Sequence, residues 1–241
     1  MTTFVLVPGA MHGGWCWRAV SQNLKAAGHE VYAPSLTGLA DRRQSLTRQV
    51  GLETHVRDLT DLFWFEDLHD VTLVLHSYAG ILAGPVAERA GERLTSIAFL
   101  GAFLTEPGQS LLDVEPPDVA ARYRQIAEEQ GNGWLVPASP AFLGQWGVPE
   151  RLHGFVGSRL TDFPLRCQVE PTDYDPAALA RLTCTYFWHT DPPLESLRGS
   201  RERASERGWP VHEIPYGHDM MLQAPEETAR ILDRLAGAAP S

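Results

Sequence analysis

The chain has a single lysine, Lys25, among its 20 basic residues. Schiff-base chemistry and lysine-dependent phosphate loops therefore find no suitable residue. No basic run is long enough to follow a phosphate backbone, and the formal net charge is -10 with a pI near 5.3. Nucleic acid and anionic membrane are excluded as expected partners, and a small molecule of little charge is favoured. Cys16, Cys167 and Cys184 are odd in number and widely spaced, which fits neither a disulfide framework nor a structural zinc site. The nine histidines contain no His-Glu-x-x-His spacing, so no metal and no cofactor is expected. No apolar run approaches a membrane span, and Met1-Thr2-Thr3 leads directly into Phe4-Val5-Leu6-Val7 without a charged leader. These absences predict a cytoplasmic protein; a homodimer stays open as its assembly.

What is present is an alternation. At 241 residues the chain can bury one sizeable core with a decoration. Short apolar runs at Phe4 to Val7, Glu30 to Ala33, Val71 to Leu75, Ser96 to Leu100, Cys184 to Trp188 and Val211 to Ile214 predict strands. Helical patterns over Trp15 to Ala27, Leu52 to Phe65, Tyr78 to Ala90, Leu197 to Arg207 and Pro225 to Leu235 fill most of the gaps. The fold class is α/β, with a mainly parallel central sheet flanked by helices. Between Leu104 and Leu179 the alternation stops, and half of the 18 prolines fall there. Residues 105–179 are expected to form an inserted helical cap over one end of a core made of 1–104 and 180–241.

Ser77 ends the apolar run Val71 to Leu75 and is followed by Tyr78-Ala79-Gly80 and a helical pattern. That places a hydroxyl at the apex of a strand-to-helix turn, beside backbone N–H groups that favour negative charge. Alone, the segment reads equally well as a serine N-cap. A serine nucleophile needs a base oriented by a carboxylate, and later strand ends offer Asp191 and then His218. Ser77, Asp191 and His218 are the expected catalytic residues. The amides of Tyr78 and of Ala10, in the glycine-rich loop after the first strand, are the expected oxyanion donors. Gly9, His12, Trp134, Phe142 and Trp146 are expected to meet substrate, and the aromatic groups favour a mainly apolar or aromatic ligand. Glu106 and Glu195 are weaker candidates for the acid, and His76 is expected to pack rather than to react.

Assembled, these residues resemble the α/β-hydrolase superfamily over nearly the whole chain, closest to the branch of plant methyl-ester esterases, hydroxynitrile lyases and small bacterial esterases. Val5-Leu6-Val7-Pro8-Gly9-Ala10-Met11-His12-Gly13-Gly14-Trp15 is similar to that branch's first strand and oxyanion loop, and Gly217-His218-Asp219 to its histidine loop. Two motifs depart: the usual Gly-x-Ser-x-Gly turn reads Leu75-His76-Ser77-Tyr78-Ala79, and Pro8 stands where a histidine is usual. The branch's lyases carry a threonine and a lysine where this chain has Gly9 and Asp219, so the resemblance implies hydrolysis of a carboxylic ester through an acyl-enzyme. The same triad acting on a lactone, thioester or carbon–carbon bond, and a ligand-binding receptor, remain as alternatives.

Overall fold

The computed structural model describes residues 1–238, the last of them by its backbone. Alternating side chains in the first strand, β1 (Thr3–Val7), enter two cores: Phe4 and Leu6 one, Val5 and Val7 the other. The same split recurs in β3 (Val71–His76), where Leu73 and Leu75 join Val5 and Val7 while Val74 joins Phe4 and Leu6. Both strands are apolar on both faces, which suits a parallel sheet covered by helices on each side. The remaining strands are β2 (Glu30–Tyr32), β4 (Leu94–Leu100), β7 (Thr183–His189) and β8 (Val211–Ile214). They form a six-stranded sheet in the order β2-β1-β3-β4-β7-β8, with every neighbouring pair parallel. All six expected strands are present.

Helix α1 (Arg18–Ala26) continues a 3₁₀ turn at Gly14–Trp17, and its buried stripe Trp17, Val20, Leu24 has the spacing of one helical face. It lies on one side of the sheet beside α12 (Pro225–Ala238), whose Ala229 and Leu232 enter the same core. The opposite side carries α2 (Leu52–Phe65), α3 (Ala83–Ala90) and α10 (Arg198–Glu206). A four-residue helix, α11 (Met220–Gln223), precedes α12. The helix expected from Tyr78 is divided, with a 3₁₀ turn at Ser77–Leu82 before α3. The chain must reverse sharply off β3 there, and the Phe103 amide holds the Ser77 carbonyl at 3.0 Å.

Between β4 and β7 the chain leaves the sheet for α4 (Leu111–Val114), α5 (Pro117–Gln130), α6 (Phe142–Gln145), α7 (Glu150–Gly157), α8 (Arg166–Val169) and α9 (Pro176–Ala180). A two-stranded antiparallel ribbon, β5 (Leu135–Val136) with β6 (Phe163–Pro164), interrupts them. Pairs of two residues are too short to announce themselves by alternation. The insert is fastened to the core at both of its faces: Thr161 N donates to the Met11 carbonyl at 3.0 Å, and Leu52 N, at the start of α2, donates to the Glu170 carboxylate at 2.7 Å.

Leu75 is fully buried on β3, in register with Val7 and Phe99. The tight turn after it forms with a leucine in place of the usual glycine, because that side chain lies in the core rather than against the turn.

Candidate active site

Ser77 leaves β3 with φ +55°. A non-glycine residue in the left-handed region is uncommon and carries a cost of about 1–3 kcal/mol, met only where the surroundings hold it. Here β1 and β4 flank the strand, and the turn is tied to Phe103. The reward is position: Ser77 Oγ stands 2.9 Å from His218 Nε2. Gly9 permits the close approach of the loop after β1, since a Cβ on it would lie 2.7 Å from Ser77 Cβ. Gly9→Ala is expected to displace the Ser77 hydroxyl and lower ester turnover by about 100-fold, with a stability cost near 1–3 kcal/mol. Steady-state kinetics beside thermal unfolding check this; undiminished turnover would contradict it.

His218 follows β8 in a loop held from three directions. Its carbonyl accepts from His76 Nε2 at 3.0 Å, Gly217 N donates to Gln223 Oε1 at 2.8 Å, and Asp219 N donates to the Trp146 carbonyl at 3.3 Å. Burial lowers the pKa of His218 well below the ordinary 6.5, and the neighbouring His76, His189 and His12 push the same way. A neutral imidazole whose Nε2 accepts the serine proton carries its own hydrogen on Nδ1. That hydrogen is unanswered, because Nδ1 is buried with no hydrogen-bond partner among the described residues.

Asp191 does not supply that partner in this arrangement. It is exposed, with its amide bonded to the Tyr216 carbonyl at 3.1 Å, and its carboxylate makes no hydrogen bond to His218. The loop is thus beside the histidine loop, while the acid itself lies outside the Ser77–His218 pair. Glu106 pairs with Arg207 at 2.6 Å and Glu195 with Arg198 at 2.5 Å, so neither weaker candidate reaches Nδ1 either. His189, fully buried at the end of β7, has its ring centroid 4.9 Å from that of His218. Burial depresses its pKa to about 4, with His76 adding to the effect and Asp219 opposing it.

Beneath the pair lies a carboxylate among imidazoles. Asp219, 1% exposed, has Oδ2 at 3.2 Å from His12 Nε2 and Oδ1 at 3.8 Å from His76 Nε2. His12 Nδ1 lies 2.9 Å from the Ala10 carbonyl, so His12 braces the loop after β1. Burial opposes charge on His12, but Asp219 outweighs it and the pKa is raised. His76 goes the other way: burial, reinforced by His12, takes it down to about 4 against the pull of Asp219. His76 packs under His218 at 4.6 Å between centroids, as its place before the turn implies. Ligand-type atoms of His76, His218 and Asp219 lie within 4.8 Å of one another. Nε2 of His218 meets Ser77 in this arrangement, and Nε2 of His76 meets the His218 carbonyl.

Tyr78, next to Ser77, is held by its own side chain. Its hydroxyl lies 2.9 Å from His55 Nδ1, and His55 Nε2 lies 3.0 Å from the Thr37 carbonyl. A carbonyl only accepts, so Nε2 carries the hydrogen and Tyr78 donates to Nδ1. Tyr78→Phe would leave that buried nitrogen without its hydroxyl donor and is expected to cost about 1–3 kcal/mol, read as a lowered unfolding midpoint. The Tyr78 and Ala10 amides make no turn or loop hydrogen bond among the described residues, and both residues border the space in front of Ser77.

That space is a cavity of about 330 Å³. Gly9, His12, Phe142 and Trp146 line it, the last two stacked at 5.3 Å and 15°. Trp134 does not: it lies elsewhere in the insert, under the Arg48 guanidinium at 5.2 Å. Glu115, Gln168 and Tyr123 also face the cavity, and no sequence pattern marked them. Gln168 lies on the four-residue α8, Glu115 between α4 and α5, and Tyr123 on α5.

The model of the Alpha/beta hydrolase family matches residues 4–231. A carbendazim hydrolyzing esterase of Nocardioides sp. (strain SG-4G) is 32% identical over 98% of this chain and 100% of its own length. Methylesterase 1 of Arabidopsis thaliana is 35% identical over 44% of this chain and 41% of its own. Among solved structures, an extracellular alpha/beta-hydrolase from a Paenibacillus species superposes with a TM-score of 0.86 at 20% identity, covering 97% of this chain and 98% of its own. Tomato methylketone synthase I follows at 0.82 and 18% identity, over 99% of each chain. Among the described residues, no helix is long and apolar enough to cross a membrane. Matched almost from end to end, the chain belongs to the α/β-hydrolase family, as an esterase-type hydrolase.

Proposed function

We propose that the protein is a serine hydrolase that cleaves a small to medium carboxylic ester through an acyl-enzyme. The observation that carries this reading is the 2.9 Å approach of Ser77 Oγ to a neutral, buried His218 Nε2 at the mouth of a cavity. His218 takes the serine proton as Oγ attacks the ester carbonyl, and the carbonyl oxygen becomes an oxyanion. The Ala10 and Tyr78 amides receive it. His218 then protonates the departing alcohol, and a water that it activates releases the acid and restores Ser77.

Asp191 is the proposed acid. Its loop is joined to the histidine loop through Tyr216, and the unanswered hydrogen on His218 Nδ1 gives a carboxylate a reason to turn inward. Residues 105–179 act as the cap, supplying Phe142 and Trp146 as apolar walls. The free, buried Cys16, Cys167 and Cys184 suit a reducing cytoplasm.

A serine-directed phosphonate followed by peptide mass spectrometry tests the nucleophile, with one adduct expected, on Ser77. An unlabelled protein would favour a ligand receptor with this fold. Aryl esters, methyl esters and lactones assayed side by side then test the bond: esters are expected to turn over fastest, and hydrolysis confined to lactones would replace the ester reading.

A further inference from the structure

One turn of the insert touches both loops that the ester reading puts to work. Helix α6 ends in a Schellman turn: Gly147 N donates to the Gly144 carbonyl at 3.1 Å and Val148 N to that of Leu143 at 3.0 Å, with Gly147 at φ +69°. The turn alone would ask for a glycine. A second demand comes from outside it. A Cβ on Gly147 would lie 2.7 Å from Pro192 Cδ and 2.8 Å from Gly217 Cα, closer than such atoms pack. Pro192 follows Asp191 and Gly217 precedes His218, so one glycine of the insert lies between the neighbours of the proposed acid and of the proposed base. The contact is reciprocal, since a Cβ on Gly217 would stand 2.8 Å from both Gly147 Cα and the Trp146 carbonyl oxygen. That carbonyl accepts from the Asp219 amide, next to His218. The Trp146 indole borders the cavity, stacked on Phe142.

We propose that the Trp146–Gly147 turn is the seat of the histidine loop, and that Gly147 is a positioning residue: backbone set directly on backbone fixes how far His218 Nε2 stands from Ser77 Oγ. The insert then sets up the reaction as well as covering it. A Cβ at Gly147 would part the turn from Gly217 and Pro192 together. Misplacing a reacting group by about 1 Å costs about 100-fold in rate even where substrate binding is untouched. This inference rests on the ester reading for what His218 does, but the seating itself can be tested without turnover.

The test uses the full chain as wild type, Gly147→Ala and Gly108→Ala, each with a melting curve. Gly108 is the control: it lies in the same insert at φ +85°, and a Cβ on it would meet nothing within 4 Å. Both alanines bear left-handed strain, and only one presses on the histidine loop. Gly147→Ala is expected to lower kcat on methyl benzoate about 30-fold with KM within about threefold, and Gly108→Ala to hold kcat within about twofold. Exchange of the Asp219 amide with deuterium, followed by NMR, is expected to be about tenfold faster in Gly147→Ala alone. A kcat in Gly147→Ala within about threefold of wild type would overturn the seat. Equal losses in the two variants would also overturn it, tracing the effect to strain within the insert. Where Gly147→Ala fails to fold, Gly217→Ala presses on the same contact from the other side without a positive φ, and the same outcomes decide. Faster exchange in Gly147→Ala, in a protein that hydrolyses no ester, would remove the ester and keep the seat. Ester hydrolysis with kcat and exchange both unchanged in Gly147→Ala would do the reverse.

Discussion

Ser77→Ala is expected to lower ester turnover by roughly 10⁶-fold while leaving the fold and substrate affinity nearly unchanged. The size of the loss follows from what the hydroxyl does. With Oγ gone, no acyl-enzyme can form, and hydrolysis falls back on water held by the remaining amides and by His218. The fold is expected to survive because the neighbours that hold the turn act on the Ser77 backbone: Phe103 N donates to its carbonyl, and β1 and β4 flank the strand behind it. Alanine has the same steric limits at φ +55° as serine, so the strain is conserved rather than relieved. Turnover measured with an aryl ester, beside a melting curve and the affinity of a non-hydrolysed analogue, decides the matter. Retention of more than about one part in a thousand by pure variant would point to another nucleophile.

The sheet was legible because its signal is local and repeated. The run Phe4 to Val7 is apolar at every position and Val71 to Leu75 at all but the buried Thr72, as a strand buried on both faces favours. Ser77 and His218 were legible for a related reason, since Ser77 leaves β3 directly, His218 follows β8 after Pro215-Tyr216-Gly217, and the sheet brings the two ends together. Asp191 also follows a run, yet its carboxylate is exposed. Only Thr190 separates it from the end of β7 at His189, yet a loop position there lets a side chain face either way. The insert was legible as an interruption but not in its interior. Helices of four or five residues, as in α4, α6, α8 and α9, have too few turns for periodicity to select a face. Trp134 was therefore expected at the cavity and lies under Arg48, while Glu115 and Gln168 were passed over and line it. Leu75 departs from the family's glycine, and sequence alone does not tell a residue that obstructs a turn from one that leaves it for the core.

The burial of four imidazoles around one carboxylate has a consequence for charge. His76 and His189 are held near 4, and His218 is displaced in the same direction, so three of the four are neutral at pH 7. His12 alone is pushed toward protonation, by Asp219. The negative charge of Asp219 is thus directed to His12, away from the imidazolium that the proposed mechanism forms on His218. Stabilising that cation falls to a group at Nδ1. His189, neutral and buried nearby, offers no charge to offset the cation.

Asp191→Asn is accordingly expected to reduce kcat by about 10³-fold to 10⁴-fold, as loss of the orienting carboxylate does in other serine enzymes, with little change in stability because the side chain is exposed in the resting protein. The pH dependence sharpens this. As the proposed base His218 must be neutral, so activity is expected to persist as pH falls until its depressed pKa is crossed. The acid limb of kcat/KM, which reports the free enzyme, is expected below the ordinary histidine value of 6.5. If Asp191 turns onto Nδ1 only with substrate bound, the limb of kcat in wild type lies at higher pH than that of kcat/KM, because an adjacent carboxylate favours the protonated imidazole. In Asp191→Asn that separation is expected to vanish while the kcat/KM limb stays in place. A kcat within threefold of wild type would exclude Asp191. A large loss in Asp219→Asn without one in Asp191→Asn would move the role to the buried carboxylate, through the imidazole cluster instead of through Nδ1.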